Sequence, residues 1–512
     1  MSLADRSLMG RVLLRERRAW IRFAISGLLV VIAVAVAILP IPMVIWSIVA
    51  VAGVWGVIVE PLVIVAVLPF AAGFGALVSL DLHGFHAGPI DLLVACLVIA
   101  TAWEHRARIL QWWKSAGDVR HALRSGVEQV GRLWKVSPAV VLLFAGLLGY
   151  LATIVLSVAI APDKTLALKE TIKWAEVTVV AALMFIVVRR QQAIRVAGWG
   201  LLVAGLAEAV LGYIQWVLAV GQLGPGGASI RVFGTFSQPN PYAGYLNFAA
   251  LIAVALAFFG KDIRERLMAG AIGLIVLGAE VLADSRGALL AFSVAVAIQV
   301  IIVFRRERAV LIAAIIGVPV LVVAWVTRII PVSIQAALLR RVRIDNLSIS
   351  GPVTSANYST MERLAHWIAG IRMFLAHPIL GVGAGNYNSA YGAYVLDPAT
   401  WPEPLGHAHN YYINAAAETG ILGLLTFLVF LSAVMYCGWR AIRNRAGVSR
   451  SNHSTGAGTL VEMAWLVGML AVLVAVSVHN LTDDLFVHGI EIQVAMCTGI
   501  LAAASVKKPA TQ

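Results

Sequence analysis

The chain has few charged residues and few cysteines for its length. Only 13% of its 512 residues are Asp, Glu, Lys or Arg, and 60% are hydrophobic, whereas soluble globular proteins are about 25% charged. Apolar stretches near twenty residues in length recur throughout, and each can cross about 30 Å of hydrocarbon. The composition therefore excludes a soluble globular protein and predicts an all-α polytopic membrane protein.

Other absences narrow the class further. The three cysteines, Cys96, Cys437 and Cys497, lie far apart in apolar stretches, so neither a disulfide framework nor a zinc site is predicted. A cleavable signal peptide is not indicated either, because the apolar stretch 23–39 is too long and lacks a small-residue cleavage site.

We predict fourteen membrane-spanning helices and one large outward-facing loop that contains amphipathic helices. Twelve spans remain an alternative, because four prolines interrupt the second to fourth apolar stretches. The predicted spans are 23–39, 43–59, 61–80, 89–103, 138–160, 174–188, 196–220, 242–259, 267–283, 288–304, 309–330, 411–436, 460–479 and 485–505.

The distribution of positive charge predicts the orientation. If the spans alternate as predicted, 28 of the 39 Lys and Arg residues lie on the side of the N-terminus, which is the cytoplasmic side by the positive-inside rule. The predicted regions are a basic cytoplasmic N-terminus (1–22), a transmembrane bundle (23–330) with a basic cytoplasmic loop (104–137), a large periplasmic loop (331–410), C-terminal transmembrane helices (411–505) and a cytoplasmic tail (506–512). The net charge of +13 thus orients the protein in the membrane, and no nucleic-acid partner is predicted.

Arginines, histidines and acids recur in the predicted outward-facing segments. They lie at Arg231 to Asn240, at Arg286, at Arg363, at His407 to Asn410 and at His479 to Asp484. An arginine at membrane depth costs about 2.5–3.5 kcal/mol on insertion scales, and guanidinium binds phosphate in a bidentate manner. An imidazole at the membrane boundary is suited to proton transfer.

Each of these residues also has a structural interpretation. Arg286 can extend to lipid headgroups, and Asn240 can be the N-cap of the eighth span. Asp483 and Asp484 can stabilise the N-terminus of the last span. Asn410 can orient an imidazole or cap a helix, and the sequence does not rank these two roles.

The segment from Ser359 to Pro378 predicts a helix that lies along the membrane or packs on the bundle. Ser359-Thr-Met-Glu362 is a capping-box pattern, and His377-Pro378 ends the helix. Apolar residues recur at helical spacing, and Arg363, His366 and Gly370 lie on the opposite face. The glycines of Gly381-Val-Gly-Ala-Gly385 follow no predicted strand, so we interpret them as a tight turn rather than a dinucleotide loop.

The chain resembles bacterial O-antigen ligases and O-antigen polymerases, which are integral-membrane enzymes acting on lipid-linked glycans. The ligase pattern is His, then Asn, Ser or Gln, nine residues, Gly, two residues, and Gly, Thr or Tyr. His409, Asn410, Gly420 and Gly423 match it in full. Ser285-Arg286-Gly287, Glu362-Arg363 with Trp367, and Gly234-Thr-Phe with Pro239-Asn-Pro resemble further family segments, so that the resemblance runs from Arg231 to Gly423.

The resemblance implies a GT-C-like membrane glycosyltransferase fold and an inverting, metal-independent transfer that needs no cofactor. His409 would be the catalytic base, and Arg286 and Arg363 would hold the lipid diphosphate. Arg231, Asn410 and His407 are further candidates for substrate binding. The lack of an Asp-x-Asp motif in the outward-facing segments agrees with metal independence.

We therefore predict an enzyme of the bacterial inner membrane that moves a glycan from an undecaprenyl-diphosphate-type carrier to an acceptor hydroxyl at the periplasmic face. The acceptor can be a glycan, a lipid or a protein, and the sequence does not separate a ligase from a polymerase. The alternative is a transporter or flippase for an anionic solute or lipid-linked glycan. A transporter would depend on acids within the spans, such as Glu208 and Glu280, because intramembrane acids mark ion pathways.

Overall fold

The computed structural model describes residues 41–78, 80–82, 85–107, 110, 131, 137–187, 191–223, 230–260, 262–304, 353, 358–451 and 456–506. The predicted spans 23–39 and 309–330 lie outside these residues, as does most of the loop 104–137. Within the described residues the protein is almost entirely helical, which confirms the predicted all-α class.

Fourteen α-helices are present in the described ranges. They are α1 (Ile41–Ile58), α2 (Leu62–Phe74), α3 (Pro89–Glu104), α4 (Pro138–Ser157), α5 (Lys164–Val187), α6 (Gln191–Val217), α7 (Pro239–Phe259), α8 (Ile263–Ala283), α9 (Arg286–Phe304), α10 (Tyr358–Ala376), α11 (Tyr387–Tyr394), α12 (Tyr411–Ser451), α13 (Gly456–His479) and α14 (Ile490–Ser505). A short 3-10 helix, Gly75–Val78, follows α2. Two small antiparallel pairs join β1 (Leu80–Leu82) to β2 (Phe85–Ala87) and β3 (Gln222–Leu223) to β4 (Ile230–Arg231).

Six of the helices in the described ranges are long and apolar enough to cross a membrane. They are Pro138–Ser157, Gln192–Val217, Pro239–Phe259, Ile263–Ala283, Tyr411–Arg445 and Glu462–His479. Four shorter apolar helices, Met43–Ile58, Leu62–Phe74, Arg286–Ile302 and Ile490–Ser505, also coincide with predicted spans. The length and composition of these helices make the chain a membrane protein.

Helix starts follow local sequence signals. Proline occupies the first turn of α3, α4 and α7, where its missing N–H has no intrahelical partner to lose. Asp262 caps α8 by accepting a hydrogen bond from the backbone N–H of Glu265 at 2.9 Å. At the other end of α8, Asp284 adopts a left-handed conformation (φ 48°) and α9 begins two residues later. This short connection was predicted from Asp284-Ser-Arg-Gly.

An aromatic cluster of Tyr150, Trp174, Tyr411, Phe427 and Phe486 packs where α4, α5 and α12 meet the loop that precedes α14. The hydroxyl groups of Tyr150 and Tyr411 are 2.8 Å apart and hydrogen-bonded. Because Tyr411 is the first residue of α12, this cluster fixes the start of α12 against the bundle.

Helix α10 begins and ends close to the predicted positions, and its small residues are on the whole buried more completely than its large apolar ones. Ala365, His366, Ala369 and Met373 are buried, whereas Leu375 is 70% exposed. A Cβ at Gly370 would lie 2.7 Å from Ile413 on α12, so small residues are what allow the close approach. Ile371 and Leu375 remain exposed on α10, which is compatible with a helix that lies along the membrane.

The segment from Gly381 to Gly385 is a tight turn, as predicted, and all three of its glycines have positive φ. The N–H groups of Val382 and Gly383 donate to the carbonyls of Ala417 and Glu418 at 2.9 and 3.0 Å. The turn thereby ties the segment between α10 and α11 to the first part of α12.

Candidate active site

His409 lies directly before α12 and points toward the loop between α13 and α14. Its Nδ1 is 3.2 Å from Oδ1 of Asp483, and the Nε2 of His407 is 3.9 Å from the same oxygen. The rings of His407 and His409 are 4.5 Å apart, centre to centre. The two histidines and one aspartate therefore form a compact cluster, which we call the histidine–aspartate cluster.

The backbone holds His409 in an unusual conformation. Its φ is +50°, a left-handed geometry that non-glycine residues rarely adopt. The N–H of His409 donates to Nδ1 of His407 at 3.1 Å, and its carbonyl accepts a hydrogen bond from the indole of Trp367 at 3.3 Å. Contacts on both sides of the peptide thus impose the orientation of the imidazole.

Asn410 caps α12. Its Oδ1 accepts hydrogen bonds from the N–H groups of Tyr412 and Ile413 at 3.0 and 3.2 Å, while its Nδ2 donates to the carbonyl of Leu481. Of the two roles that the sequence left open, the structure shows capping. Asn410 also joins the start of α12 to the loop that carries Asp483.

Asp483 is buried and has partners on both of its oxygens. Asn240 donates to Oδ2 at 2.7 Å, opposite the histidine on Oδ1. Burial alone would raise the pKa of Asp483, but the hydrogen bond from His409 and the charges of His409, His407 and His479 hold it below its usual range. Asp483 is therefore a carboxylate that can orient His409 and stabilise its protonated form.

Two interpretations from the sequence are corrected here. Helix α7 begins at Pro239 with Gln238 as its N-cap, so Asn240 is not the cap and its side chain is free to bind Asp483. Helix α14 begins at Ile490, several residues after Asp483 and Asp484, so these acids do not stabilise its N-terminus. Asp483 and Asp484 lie instead in the loop between α13 and α14, where the ring of Phe486 packs into the aromatic cluster.

Arg231 lies close to the site but is engaged within the protein. Its Nε donates to the carbonyl of Ala283 at 3.0 Å and its Nη2 donates to Oδ1 of Asn240 at 3.1 Å. Through Asn240 the guanidinium is linked to Asp483. Arg231 therefore positions the acid and the end of α8.

Arg286 and Arg363 approach the site from two helices around His479. Gly287 packs so closely on α13 that a Cβ there would lie 3.2 Å from Nε2 of His479. Arg363, on α10, interacts electrostatically with the same histidine. Both arginines are partly exposed. The structure thus brings Gly287 in the first turn of α9 and Arg363 of α10 to the same histidine, His479, which lies four residues before Asp483.

A third histidine, His366 on α10, completes the surroundings of His409. Its ring stacks on Tyr391 at 4.5 Å and lies 5.9 Å from the ring of His409. Burial, together with the charges of His409 and His407, lowers the pKa of His366 to about 4. His366 is accordingly neutral near neutral pH and adds no positive charge beside His409.

Sequence reasoning did not assign Asp483, Asn240 or His366 to the site. Asp483 carried a usable signal, because it is an acid on the same predicted face as the histidines. For His366 the sequence gave one signal, its position on α10 opposite the apolar residues.

The histidine–aspartate cluster also has the composition of a metal site. The ligand atoms of His407, His409 and Asp483 all lie within 4.8 Å of one another, and two imidazoles with one carboxylate suit Zn²⁺. The predicted metal independence thus remains a prediction, and these three residues are the ones that would hold an ion.

Of the two acids that the transporter alternative singled out, Glu208 has a structural role. Its carboxylate accepts hydrogen bonds from the hydroxyl and the N–H of Thr235 at 2.7 and 3.2 Å. Glu280 is fully buried in α8, and neither of its oxygens has a hydrogen-bond partner among the described residues.

Comparison with known proteins identifies a family for part of the chain. Residues 271–428 match the family model described as O-antigen ligase, and this segment contains Arg286, Arg363, His407 and His409. No curated protein matches the chain. The match confirms the resemblance found in the sequence and supports a membrane enzyme that transfers glycans. Residues 271–428 of the chain are therefore similar to O-antigen ligases.

Proposed function

We propose that the protein transfers a glycan from a polyprenyl diphosphate carrier, of the undecaprenyl type, to an acceptor hydroxyl at the periplasmic face of the bacterial inner membrane. The observation that carries this proposal is the hydrogen bond between His409 and Asp483, because His409, Arg286 and Arg363 all lie in the segment similar to O-antigen ligases. A base and two guanidinium groups are what a displacement at a glycosyl diphosphate needs.

In this proposal the proton-accepting atom is Nε2 of His409. Asp483 accepts a hydrogen bond from Nδ1 of His409, so the proton of the neutral imidazole resides on Nδ1 and the lone pair on Nε2. Nε2 then takes the proton of the acceptor hydroxyl as its oxygen attacks the anomeric carbon. The carboxylate of Asp483 stabilises the imidazolium that results.

The arginines act on the other half of the reaction. As the acceptor oxygen bonds to the anomeric carbon, the bond from that carbon to the phosphate oxygen breaks and the polyprenyl diphosphate leaves with the electron pair. Arg286 and Arg363 can each form charge-assisted hydrogen bonds to the diphosphate, worth about 1.5–3 kcal/mol. Attack opposite the leaving group inverts the anomeric configuration.

The test is transfer by the purified protein, supplied with a polyprenyl-diphosphate glycan and candidate acceptors. His409→Ala should lower the rate by about 10²–10⁴, the usual contribution of a general base, while His407→Ala should retain a measurable fraction. The double variant should be no slower than His409→Ala, because a base is lost only once. A His409→Ala protein that turns over while His407→Ala is inactive would move the base to His407.

Arg286→Lys and Arg363→Lys test separately whether each arginine binds the diphosphate. Lysine keeps the charge but cannot form the planar, bidentate contact, so each variant should lose activity steeply at unchanged protein level. Arg372→Lys is the matched control, because Arg372 lies on α10 as well but binds the carbonyls of Tyr394 and Val395. Full activity in Arg286→Lys or Arg363→Lys would assign that arginine to lipid headgroups instead.

A further inference from the structure

A cleft of about 760 Å³ opens at the same end of the bundle as the histidine–aspartate cluster. Its walls come from the end of α2, the start of α3, the first half of α5, the start of α14 and the segment around Thr235. Five charged residues line it, and we call it the lysine–carboxylate cleft: Asp91, Lys169, Lys173, Glu176 and Glu491. None of its lining residues lies within the segment 271–428 that matches the O-antigen ligase family.

Glu491 gives this cleft an unused hydrogen-bonding atom. Glu491 is only 7% exposed, and its Oε2 has no hydrogen-bond partner among the described residues. Buried polar atoms are almost always paired, so an unpaired carboxylate oxygen in the wall of a cavity points to a ligand that donates to it.

The neighbouring charged groups are already held in place. Glu176 is hydrogen-bonded to Asp91. Lys173 forms an ion pair with Glu170 at 2.7 Å and donates to the carbonyl of Phe486 at 3.1 Å. The polar groups of the cleft are therefore preorganised, which lowers the free energy needed to order them around a ligand.

The cleft and the histidine–aspartate cluster share one loop. Asp483 contacts His409, and the next residue, Asp484, accepts a hydrogen bond from the N–H of Phe486 at 2.8 Å. Farther along, His488 and Gly489 line the cleft. The loop 480–489 thus contacts the proposed base through Asp483 and lines the cleft through His488 and Gly489.

The charges decide what the cleft can accept. Asp91 and Glu176 share a proton through their hydrogen bond, so the five charged residues carry no net positive charge that would favour a diphosphate or a phosphate headgroup. A sugar has hydroxyl groups that both donate and accept, so it can pair with carboxylates and ammonium groups together. The apolar walls, which include Ile90 and Ile172, suit the C–H faces of pyranose rings, and the volume falls in the usual range for small-ligand pockets.

We propose that the lysine–carboxylate cleft is a glycan subsite that holds sugar residues of a substrate near the point of transfer. This rests on the proposed function. It adds that glycan specificity resides in α3, α5 and α14, outside the family segment. The sugars can belong to the lipid-linked donor or to the acceptor glycan, and the chemistry of recognition is the same.

Two variants and two matched controls test the subsite in transfer kinetics. Glu491→Gln replaces the carboxylate, which accepts hydrogen bonds, with an uncharged amide of the same shape. Ile172→Trp fills the cleft with a larger side chain. Glu280→Gln is the control for removing a buried, unpaired carboxyl elsewhere. Leu168→Trp is the control for the indole, because Leu168 is as exposed as Ile172 (45% and 48%) and one turn away on α5, yet does not line the cleft.

The expected result is a KM raised at least fivefold in Glu491→Gln and Ile172→Trp, with kcat within twofold, while both controls match the unmodified protein. A rise in the KM of the lipid-linked glycan assigns the subsite to the donor, and a rise in the KM of the acceptor assigns it to the acceptor. Unchanged KM for both substrates in both variants would overturn the proposal.

A binding measurement separates this proposal from the catalytic one. Saturation-transfer NMR of the full-length protein with the free oligosaccharide repeat unit, which carries no diphosphate, reports sugar contact without turnover. His409→Ala should retain the signal and Glu491→Gln should weaken it at least threefold. Equal signals in Glu491→Gln and in the unmodified protein would reject the subsite even if transfer depends on His409. The measurement needs no turnover, so it remains informative even if the unmodified protein shows no transfer activity.

Discussion

The two nitrogens of His409 have different surroundings, and this difference gives the residue its proposed role. Nδ1 contacts a buried carboxylate, while the side chain of His409 as a whole is 16% exposed. His366 stays neutral because burial and the nearby histidines lower its pKa to about 4. His409 therefore has one negative partner, and His366 adds no positive charge beside it.

Asp483→Asn is the most direct examination of this arrangement. An amide still fits between His409 and Asn240, but it carries no charge to stabilise the imidazolium, and its NH₂ group can select the wrong tautomer of His409. We expect kcat to fall about 100-fold or more, measured in the transfer assay at saturating substrate. Asp397→Asn, in an exposed turn, should change nothing, and equal activity in Asp483→Asn would separate the acid from catalysis.

The same residues predict a response to metal ions. Activity should survive excess EDTA, since arginines and histidine supply what a cation otherwise would. Micromolar Zn²⁺ should inhibit reversibly, because a metal on Nδ1 forces the proton of the imidazole onto Nε2 and removes the lone pair.

His407→Ala should raise the Zn²⁺ concentration for half-inhibition about tenfold, since one ligand is lost. Turnover that EDTA abolishes and a divalent cation restores would show instead that the histidine–aspartate cluster holds a working metal.

Among the elements, α12 has the most demanding backbone. It is interrupted at Gly420, whose φ of 64° and ψ of −163° are accessible almost only to glycine. A Cβ there would overlap the backbone of Ile379, and the N–H of Ile421 donates to the carbonyl of Pro378 at 2.8 Å. The kink thus joins α12 to the segment that directly follows α10. Gly420, one of the residues that match the ligase pattern, is needed for that contact.

Gly420→Ala should therefore destabilise the protein by about 2–3 kcal/mol from the backbone conformation alone. Thermal unfolding in detergent, followed by circular dichroism, measures the loss. Gly392→Ala is the control, because nothing lies within 4 Å of a Cβ at that position in α11. An unchanged melting temperature in Gly420→Ala would mean that the kink can straighten.

Helix α10 shows where element prediction from sequence succeeds and where it fails. The capping box and His377-Pro378 located its ends, since these signals act through the local backbone. The face of α10 that packs on α12 is instead set by side-chain size. Gly370 and the alanines permit close packing, while Leu375 remains exposed. In a membrane protein a large apolar side chain gains as much from lipid as from protein, so hydrophobicity does not mark the buried face.

For the whole molecule, the orientation in the membrane is the main prediction. Reporter tags at Arg120, Val448 and Gln512 should be cytoplasmic, and a tag at Val395 should be periplasmic, because Lys and Arg concentrate on one side. Accessibility to a membrane-impermeant reagent in intact cells measures this. A cytoplasmic position of Val395 would place the candidate site on the wrong side for the proposed reaction.

The class of the protein and most of its spans could be predicted from the sequence, because runs of apolar residues report directly on membrane helices. His409, Arg286 and Arg363 were found through short motifs. Asp483 could not be placed, because its meeting with His409 depends on how α12 and α13 pack and on how Phe486 turns the loop back into the aromatic cluster. Pairings between residues more than seventy positions apart are set by tertiary packing.

The left-handed backbone of His409 has a consequence for how such an enzyme can change. A β-carbon in that conformation costs roughly 1–2 kcal/mol, which is a large share of the stability of a marginally stable protein. Glycine or asparagine would relieve the strain, so selection for heat resistance alone favours replacing the very residue proposed to take the proton. Under the proposed role a histidine at this position is kept for activity against the preference of the fold, and consensus design that ranks substitutions by stability should leave this position untouched.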